Sequence, residues 1–299
     1  MFFALLFVLA AMAVAGCGTD DSAAPAADRF DADRAFADLE AQVELGPRPA
    51  GSPASRQLAR LLAKRLADAG ARDVSIQRPH RNVVGTIPGR QPGTIVVGAH
   101  HDTKDIPGFV GANDGASGVA VVLELARVLS ASAPLDGPSV SLVMFDAEEA
   151  RGNRPFEADG LRGSRQYVAY AKRGEQGSPR LATVESMILF DLVGDCELEV
   201  PREANSDEAI YKLFASAASQ ASGGASPAPF EGETGAIADD HVPFIEAGIP
   251  ALDVIDFTYG SNESPGPYWH TTDDTLDKVC PESLDAVGEP ALGVLDPAP

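Results

Sequence analysis

SVSLVMFDAEE, residues 139–149, is an apolar run that ends in an aspartate and two adjacent glutamates. A run that is apolar on both faces is typical of a strand buried inside a parallel sheet. Neighbouring side chains of a strand point to opposite faces, so Glu148 and Glu149 cannot both be ordinary surface residues there. As an isolated pair they would fit a solvated acidic turn, and the remaining sequence decides between the two interpretations.

Similar apolar runs follow along the chain and alternate with helical segments. Three of them are predicted strands, at 94–100 (TIVVGAH), 186–194 (SMILFDLVG) and 249–257 (IPALDVIDF). Helical spacing of apolar residues is found at 29–44, 53–69, 119–129, 163–173 and 207–220, and shorter strands are predicted at 72–79 and 81–86. This alternation predicts an α/β fold, a three-layer αβα sandwich with a mixed, largely parallel central sheet.

The composition bounds the function. The chain has 299 residues, 44% of them hydrophobic, and a net charge of −21 from 23 basic and 44 acidic residues. This acidity favours solubility, and it excludes nucleic acid and anionic membrane surfaces as expected partners, because both would be repelled. No repeat or long linker divides the sequence, so we expect one catalytic domain at 31–299, acting as a monomer.

The first residues are expected to form a targeting signal. Residues 1–17 (MFFALLFVLAAMAVAGC) are apolar but too short for a comfortable membrane span, which is typical of a signal peptide. The segment VAGC at 14–17 resembles a bacterial lipobox, so Cys17 would be lipidated and provide the only membrane attachment. An ordinary cleaved signal is the alternative. Residues 18–30 are predicted to be a flexible tether, and the protein is expected to be exported, as an anchored envelope lipoprotein or a secreted protein.

Two cysteines remain, Cys196 and Cys280. Export permits a disulfide between them, but nothing in the sequence brings them together, so the pairing stays open at this point.

Acids and histidines collect near the ends of the predicted strands. They are His100, Asp102, Asp114, Glu148, Glu149, Asp191, Asp239, Asp240, His241 and His270. Ligands of an open α/β sheet bind at the carboxyl ends of its strands, and mixed imidazole and carboxylate donors suit zinc. The adjacent glutamates then make chemical sense: one can bind a metal while its neighbour moves protons. The sequence therefore predicts one or two zinc ions at this edge of the sheet.

The motifs around these residues resemble the zinc exopeptidase superfamily, which contains secreted two-zinc aminopeptidases and animal-type glutaminyl cyclases. The resemblance spans roughly residues 40–285 and rests on LGPRPAGSPAS, GAHHD, GANDGASG, FDAEE, GLRGSRQY, LFDLVG, DDHVPF, GIPALD and YWHTTDD. It implies the metal ligands His100, Asp114, Glu149, Asp191 and His270, with Asp114 as the bridge. In the cyclase branch, one zinc is held by the positions that match Asp114, Glu149 and His270. The resemblance also implies that Glu148 is the general acid/base and that Asp102 orients His100.

Several local features resemble the cyclase branch. Trp269 directly precedes His270, as in cyclases, where an indole lines the substrate pocket; core packing is the alternative for this side chain. Asp240, in ADDHVPF, matches a cyclase acid that hydrogen-bonds within the active site. The segment ARGNRPFEADG, 150–160, separates the glutamate pair from GLRGSR, whereas aminopeptidases usually lack it; a neutral surface loop is the alternative. Ala99 departs from the cyclase pattern, which has cysteine there.

The resemblance leads to one expectation and two alternatives. We expect a zinc-dependent glutaminyl-peptide cyclotransferase that acts on peptide or protein N-termini, converts N-terminal glutamine to pyroglutamate and releases ammonia. The first alternative is a zinc aminopeptidase that hydrolyses the N-terminal peptide bond. The second is a non-catalytic metal-binding lipoprotein.

Overall fold

The computed structural model describes residues 28–222 and 229–297. A mixed six-stranded sheet runs through it in the order β1-β2-β4-β3-β5-β6. Its strands are β1 Arg72–Ile76, β2 Val83–Ile87, β3 Thr94–His100, β4 Ser139–Phe145, β5 Val184–Asp191 and β6 Ala251–Ile255. The strands β4, β3, β5 and β6 are parallel to one another, while β2 is antiparallel to both β1 and β4. The predicted mixed, largely parallel sheet is confirmed.

Helices cover both faces of the sheet. They are α1 Ala32–Val43, α2 Pro53–Asp68, α3 Ala116–Ser132, α4 Phe156–Asp159, α5 Arg162–Ala171, α6 Glu208–Ala221, α7 Val242–Glu246 and α8 Pro281–Leu295. One face packs against α1, α2, α3, α6 and α8, and the other packs against α5 and α7. The predicted three-layer αβα sandwich is therefore confirmed.

The two cores explain why the strands are apolar on both faces. Along β5, Ile188 and Phe190 lie in the larger core, and Met187 and Leu189 lie in the smaller one. Helix α3 packs very close to this strand, because a Cβ atom on Gly118 would lie 2.1 Å from the carbonyl oxygen of Phe190. The close contact fixes α3 and the loop before it against the carboxyl end of β5.

Ion pairs built around two buried carboxylates join three helices of the larger layer. Its members, from here on the helix-layer ion cluster, are Arg34, Asp38, Arg65, Glu124 and Arg127. Glu124 is fully buried on α3 and accepts hydrogen bonds from Arg34 Nε and from an Arg127 guanidinium nitrogen, each at 2.8 Å. Asp38 on α1 pairs with Arg65 and Arg127. Each buried carboxylate here has arginine partners.

The cysteine pairing that the sequence left open is formed. Cys196, in the loop after β5, is disulfide-bonded to Cys280, which directly precedes α8, with 4.9 Å between their Cα atoms.

The predicted signal peptide and most of the predicted tether lie outside the described residues. The last two tether residues are held on α8, since the backbone N–H groups of Arg29 and Phe30 both donate to a Glu289 carboxylate oxygen. No helix in the described ranges is long and apolar enough to cross a bilayer. Export and lipidation of Cys17 stay predictions.

Candidate metal centre and substrate cavity

The sheet brings the predicted metal ligands to one place. His100 is the last residue of β3, Asp191 is the last residue of β5, and the glutamate pair follows β4 after two residues. Together with residues of several loops they line a cavity of about 340 Å³. Its walls are formed by His100, Lys104, Asp114, Glu148, Glu149, Phe156, Asp191, Ala236, Ile237, Ala238, Asp239, Ile255, Phe257, Trp269 and His270.

The five predicted metal ligands form two donor groups that share Asp114. One group comprises His100, Asp114 and Asp191, and the other comprises Asp114, Glu149 and His270. In the first, His100 Nε2 lies 3.3 Å from Asp114 Oδ1 and 3.2 Å from Asp191 Oδ1. In the second, His270 Nε2 lies 2.8 Å from Glu149 Oε1 and 3.5 Å from Asp114 Oδ2. The bridging position predicted for Asp114 agrees with this arrangement.

The charges of the donor groups pull protons onto the imidazoles. Burial lowers the pKa of His100, but the charge of Asp191 and hydrogen bonds to the surrounding carboxylates outweigh it and hold the pKa well above its usual range. His270 shows the same balance, since the hydrogen bond to Glu149 and the charge of Asp114 raise its pKa despite burial. A proton on either of these nitrogen atoms would have to leave before a metal ion could bind there, so metal binding would release it.

The donor groups fit zinc. They mix imidazole nitrogen with carboxylate oxygen, the combination that zinc accepts, and they are buried at the bottom of an open cavity. Asp114 Oδ2 is buried and has no hydrogen-bond partner among the described residues, as expected for an oxygen that ligates a cation. The shared carboxylate permits one or two ions.

Glu148 and Glu149 both face the cavity because the strand ends before them. Strand β4 stops at Phe145, and Ala147 has a left-handed backbone with φ of 64°, which reverses the chain ahead of the pair. Burial, followed by the charge of Glu149, raises the pKa of Glu148 well above its usual range. For Glu149, burial also raises the pKa, but hydrogen bonds and charges of His270 and Lys104 bring the net direction below the usual value. The adjacent carboxylates are thus chemically different.

Asp102 supports the glutamate pair more directly than it supports His100. Its two carboxylate oxygens accept hydrogen bonds from the backbone N–H groups of Glu148 and Glu149, at 3.0 and 3.3 Å. His100 Nδ1 lies 3.1 Å from the Asp102 carbonyl oxygen and 3.8 Å from its carboxylate. The resemblance implies that Asp102 orients the histidine, and in this geometry the backbone carbonyl rather than the carboxylate makes the closer contact.

Asp239 lines the cavity, whereas its predicted neighbour Asp240 does not. Asp240 is fully buried and is not among the residues that line the cavity. Burial raises the pKa of its carboxyl group to about 7. Its backbone N–H donates a hydrogen bond to Asp239 Oδ1 at 2.5 Å. Asp239 Oδ2 is buried and unpaired among the described residues, and burial raises the pKa of this carboxyl well above its usual range. The active-site role of Asp240 stays a prediction. The sequence placed Asp239 among the acids near the strand ends but gave it no separate role.

Trp269 lies in the cavity wall and stacks on His270. The two ring centroids are 3.8 Å apart and the planes are inclined by 20°. Phe257 packs against the indole edge-on at 5.2 Å, and Phe156 is another aromatic residue that lines the cavity. The cavity therefore combines the predicted metal ligands with aromatic residues, and Trp269 both lines it and packs against the cluster of Leu192, Ile255 and Tyr259.

Two further residues lie near the predicted metal ligands: Lys104, which was not singled out from the sequence, and Asp274, for which the sequence left loop orientation and surface exposure open. Lys104 lines the cavity, and its ammonium lies 2.8 Å from Glu149 Oε2. Asp274 is fully buried and accepts hydrogen bonds from the backbone N–H groups of Asn113 and Asp114 and from the Tyr259 hydroxyl. Asp274 thus fixes the loop that carries the shared ligand. Its place four residues after His270, in YWHTTDD, was the available signal.

Comparison with known proteins points to one family and two activities. The sequence profile of peptidase family M28 matches residues 82–295. Aminopeptidase YwaD of Bacillus subtilis is 32% identical over 207 residues, which are 67% of this chain and 40% of that protein. The glutaminyl-peptide cyclotransferase of Drosophila melanogaster is 28% identical over 220 residues, 66% of this chain and 59% of that protein. The aligned region thus covers only about half the length of these relatives.

The similar solved structures likewise include both a glutaminyl cyclase and an exopeptidase. Porphyromonas gingivalis glutaminyl cyclase superposes with a TM-score of 0.76 at 29% identity, covering 89% of this chain and 98% of that one. A Zn-dependent exopeptidase from Parabacteroides distasonis gives a TM-score of 0.75 at 28% identity, covering 90% of this chain and 99% of that one. The zinc requirement of the exopeptidase agrees with the donor groups described above.

Proposed function

Because the chain belongs to peptidase family M28 and carries the donor groups of a zinc enzyme, we propose that it is a zinc-dependent glutaminyl-peptide cyclotransferase. The proposed substrates are peptides and proteins that begin with glutamine. All five predicted metal ligands and Glu148 surround one cavity, which argues against the non-catalytic alternative. The similarity to glutaminyl cyclases, at 29% identity over nearly the whole of the Porphyromonas chain, supports the choice of reaction.

One observation carries the choice between the two activities: the stacking of Trp269 on His270. The indole extends the metal centre into an aromatic wall only a few ångströms from the donor atoms. A short, uncharged side chain such as that of glutamine can lie against this wall with its carbonyl near the donor groups. Such placement brings the substrate's own amine and side-chain carbonyl together, which a ring-closing reaction requires.

In the proposed reaction, the α-amine of the glutamine attacks its side-chain carbonyl carbon, the ring closes, and ammonia leaves. Glu148 takes the amine proton and returns it to the departing nitrogen. Asp239 lines the cavity, where its carboxyl group can accept a hydrogen bond from a substrate N–H group. Zinc held by the donor groups would supply the Lewis acid that polarises the carbonyl group. The side chains of Trp269 and Phe156 exclude water from one side of the reacting atoms.

The second candidate is an aminopeptidase, and one observation favours it. This observation is the similarity to the Bacillus aminopeptidase. The two complete donor groups offer ligands for two ions sharing Asp114, but they do not separate the candidates, because the resemblance keeps His100 and Asp191 in both branches. In that reaction Glu148 would deprotonate a water molecule that attacks the first peptide bond.

Mass spectrometry of peptide products separates the candidates. A short peptide that begins with glutamine is incubated with the zinc-loaded protein, and a matched peptide that begins with leucine is the control. Loss of ammonia from the first peptide, faster than in buffer, is the expected result. Release of free glutamine or leucine with a shortened peptide would instead establish the aminopeptidase.

A further inference from the structure

The segment between the glutamate pair and α5 returns to the point where it starts. Residues 150–160 leave the pair, and then Leu161 N donates to the Glu148 carbonyl oxygen at 2.8 Å and Arg162 N donates to that of Ala147 at 3.0 Å. The segment is therefore a closed loop whose base is the backbone of the glutamate pair. A displacement of the loop would be transmitted directly to these catalytic and ligand positions.

One carboxylate holds the loop from inside. The Asp159 side chain is only 7% exposed and is surrounded by three guanidinium groups. It accepts from the backbone N–H and Nε of Arg151 at 2.9 and 3.0 Å, from Arg154 at 3.3 Å and from Arg162 at 2.8 Å. These charge-assisted bonds are the strong class of protein hydrogen bond. We call these four residues the Asp159 clamp.

The clamp has contacts on two sides. Arg162 also donates to the carbonyl oxygen of Glu149 at 3.0 Å, so it joins the loop to a predicted metal ligand. On the other side, the single turn α4 ends at Asp159 and begins at Phe156, whose ring lies directly on Gly160. A Cβ atom on Gly160 would be 2.8 Å from two carbons of that ring. This contact holds Phe156 in the wall of the cavity that Trp269 also lines.

We propose that Phe156 determines which side chains the substrate cavity accepts, and that Asp159 is the positioning residue that holds Phe156 there. This inference rests on the proposed function in one respect: the cavity takes the N-terminal residue of a peptide. The ring of Phe156 limits the cavity to a short or slender side chain. Its removal leaves room for a bulkier apolar residue and removes a contact surface for a small one.

The chain contains its own probe for this test. Trp269 is the single tryptophan, and it lines the cavity together with Phe156. Tripeptide binding is followed by the fluorescence of this residue in zinc-loaded protein carrying Glu148→Gln, so that no turnover is required. The probes are Gln-Phe-Ala, Leu-Phe-Ala and Trp-free bulky analogues that begin with phenylalanine.

Phe156→Ala, added to the Glu148→Gln protein, should raise the Kd for Gln-Phe-Ala about tenfold. Binding of the phenylalanine-initiated peptide should improve relative to binding of Gln-Phe-Ala. Asp159→Ala should produce the same change in preference, and Asp159→Glu should recover most of the original Kd. Asp68→Ala, which removes an exposed partner of Lys64 on α2, is the matched control and should leave every Kd within about twofold. Zinc content and thermal midpoint are measured for each variant.

A merely structural role for Asp159 would lower the thermal midpoint without changing peptide preference, and that result would overturn its positioning role. Unchanged preference in Phe156→Ala would overturn the specificity role. If Asp159→Ala does not fold, Arg151→Gln removes part of the clamp and must shift the preference in the same direction. If peptides bind but the unmodified protein neither cyclises nor hydrolyses them, the proposed function fails while this inference is still judged from the Kd values. If no peptide binds, both are wrong.

Discussion

Two groups of buried carboxylates in this molecule differ in how far basic side chains of the protein neutralise them. In the helix-layer ion cluster, two carboxylates are paired with three arginines. Around the cavity, five carboxylates (Asp114, Glu148, Glu149, Asp191 and Asp239) face two imidazoles and a single lysine. The helix layer neutralises its acids with side chains, whereas the cavity keeps an excess of negative charge and leaves carboxylate oxygens unpaired.

The difference separates acids that stabilise the fold from acids that serve the chemistry. A buried carboxylate is costly unless it is paired, so an unpaired group persists only where something else compensates it. At the cavity that compensation is a cation from outside the chain, and in the helix layer it is part of the chain. Removing a carboxylate should therefore destabilise the helix layer, whereas at the cavity it should reduce turnover or zinc binding without destabilising the metal-free protein. The following variants test this difference.

The largest effect is expected for Glu148→Gln. Turnover of the glutamine-initiated peptide should fall about 1,000-fold, because a proton carrier is lost from the reacting groups. Zinc content should not change, since Glu148 belongs to neither donor group. Steady-state kinetics and elemental analysis of the purified variant measure both quantities. Near-normal turnover would rule out the acid/base assignment for either candidate reaction.

Zinc should stabilise the protein through Asp114. At a free zinc concentration of about 100 times Kd, the free energy of unfolding should rise by about 3 kcal/mol. Asp114→Asn should lose most of this gain, yet without zinc it should be no less stable than the unmodified chain, because it removes a buried charge. Thermal midpoints with zinc and with a chelator provide the measurement. Glu148→Gln, with a full zinc response, is the control.

Glu124→Gln should destabilise the helix layer by about 2 kcal/mol, whether or not zinc is present. The change leaves the guanidinium groups of Arg34 and Arg127 without their shared carboxylate. Urea unfolding with and without zinc tests this, and Asp68→Asn, at an exposed pair, should cost less than about 0.5 kcal/mol. A loss that appears only in the zinc-loaded protein would contradict the separation of the two regions.

The smallest effect concerns a third, partly exposed acid group, formed by Asp28, Asp285 and Glu289. Burial, followed by the charges of Asp28 and Glu289, raises the pKa of Asp285 from 3.8 to about 6. A raised carboxyl pKa stabilises the fold only while the group is protonated, so its contribution is lost as the pH rises from about 4 through 6. Asp285→Asn should therefore gain about 1 kcal/mol at pH 8, after allowance for solvent screening.

Thermal midpoints of the two proteins across this range measure the gain, which should vanish at pH 4. The same curve for Asp68→Asn should show no gain at either pH. A gain at pH 4 that equals the gain at pH 8 would assign the effect to packing rather than to charge.

The sheet and the meeting of the predicted metal ligands at one edge of it were predictable because both follow from strand ends. Runs such as SVSLVMFD are apolar on both faces, and parallel strands place their carboxyl ends at one edge of the sheet. His100 and Asp191 are themselves terminal strand residues, so their meeting required no knowledge of loop conformation. The motif resemblance added the partners that lie on loops.

The features of the site that the sequence did not predict depend on the backbone conformation of loops. Ala147, Leu192 and His270 all have positive φ, a conformation that non-glycine residues rarely adopt and that no local pattern here predicts. The angle at Ala147 turns the glutamate pair towards the cavity. Loop conformation likewise decides that Asp239 rather than Asp240 reaches the wall. The Asp159 clamp was hidden for a further reason, since an arginine-rich segment is as compatible with a neutral surface loop.

The disulfide between Cys196 and Cys280 makes the protein partly circular. Its bond closes a covalent ring over a sequence separation of 84, and the ring contains Asp239, Trp269 and His270. Of the predicted metal ligands, only His270 lies in this ring, and the other four precede Cys196. The cavity is therefore formed jointly by residues inside and outside the ring. A single backbone cut inside the ring would leave the two fragments joined as one molecule. Such a nicked protein would migrate as two pieces only after reduction.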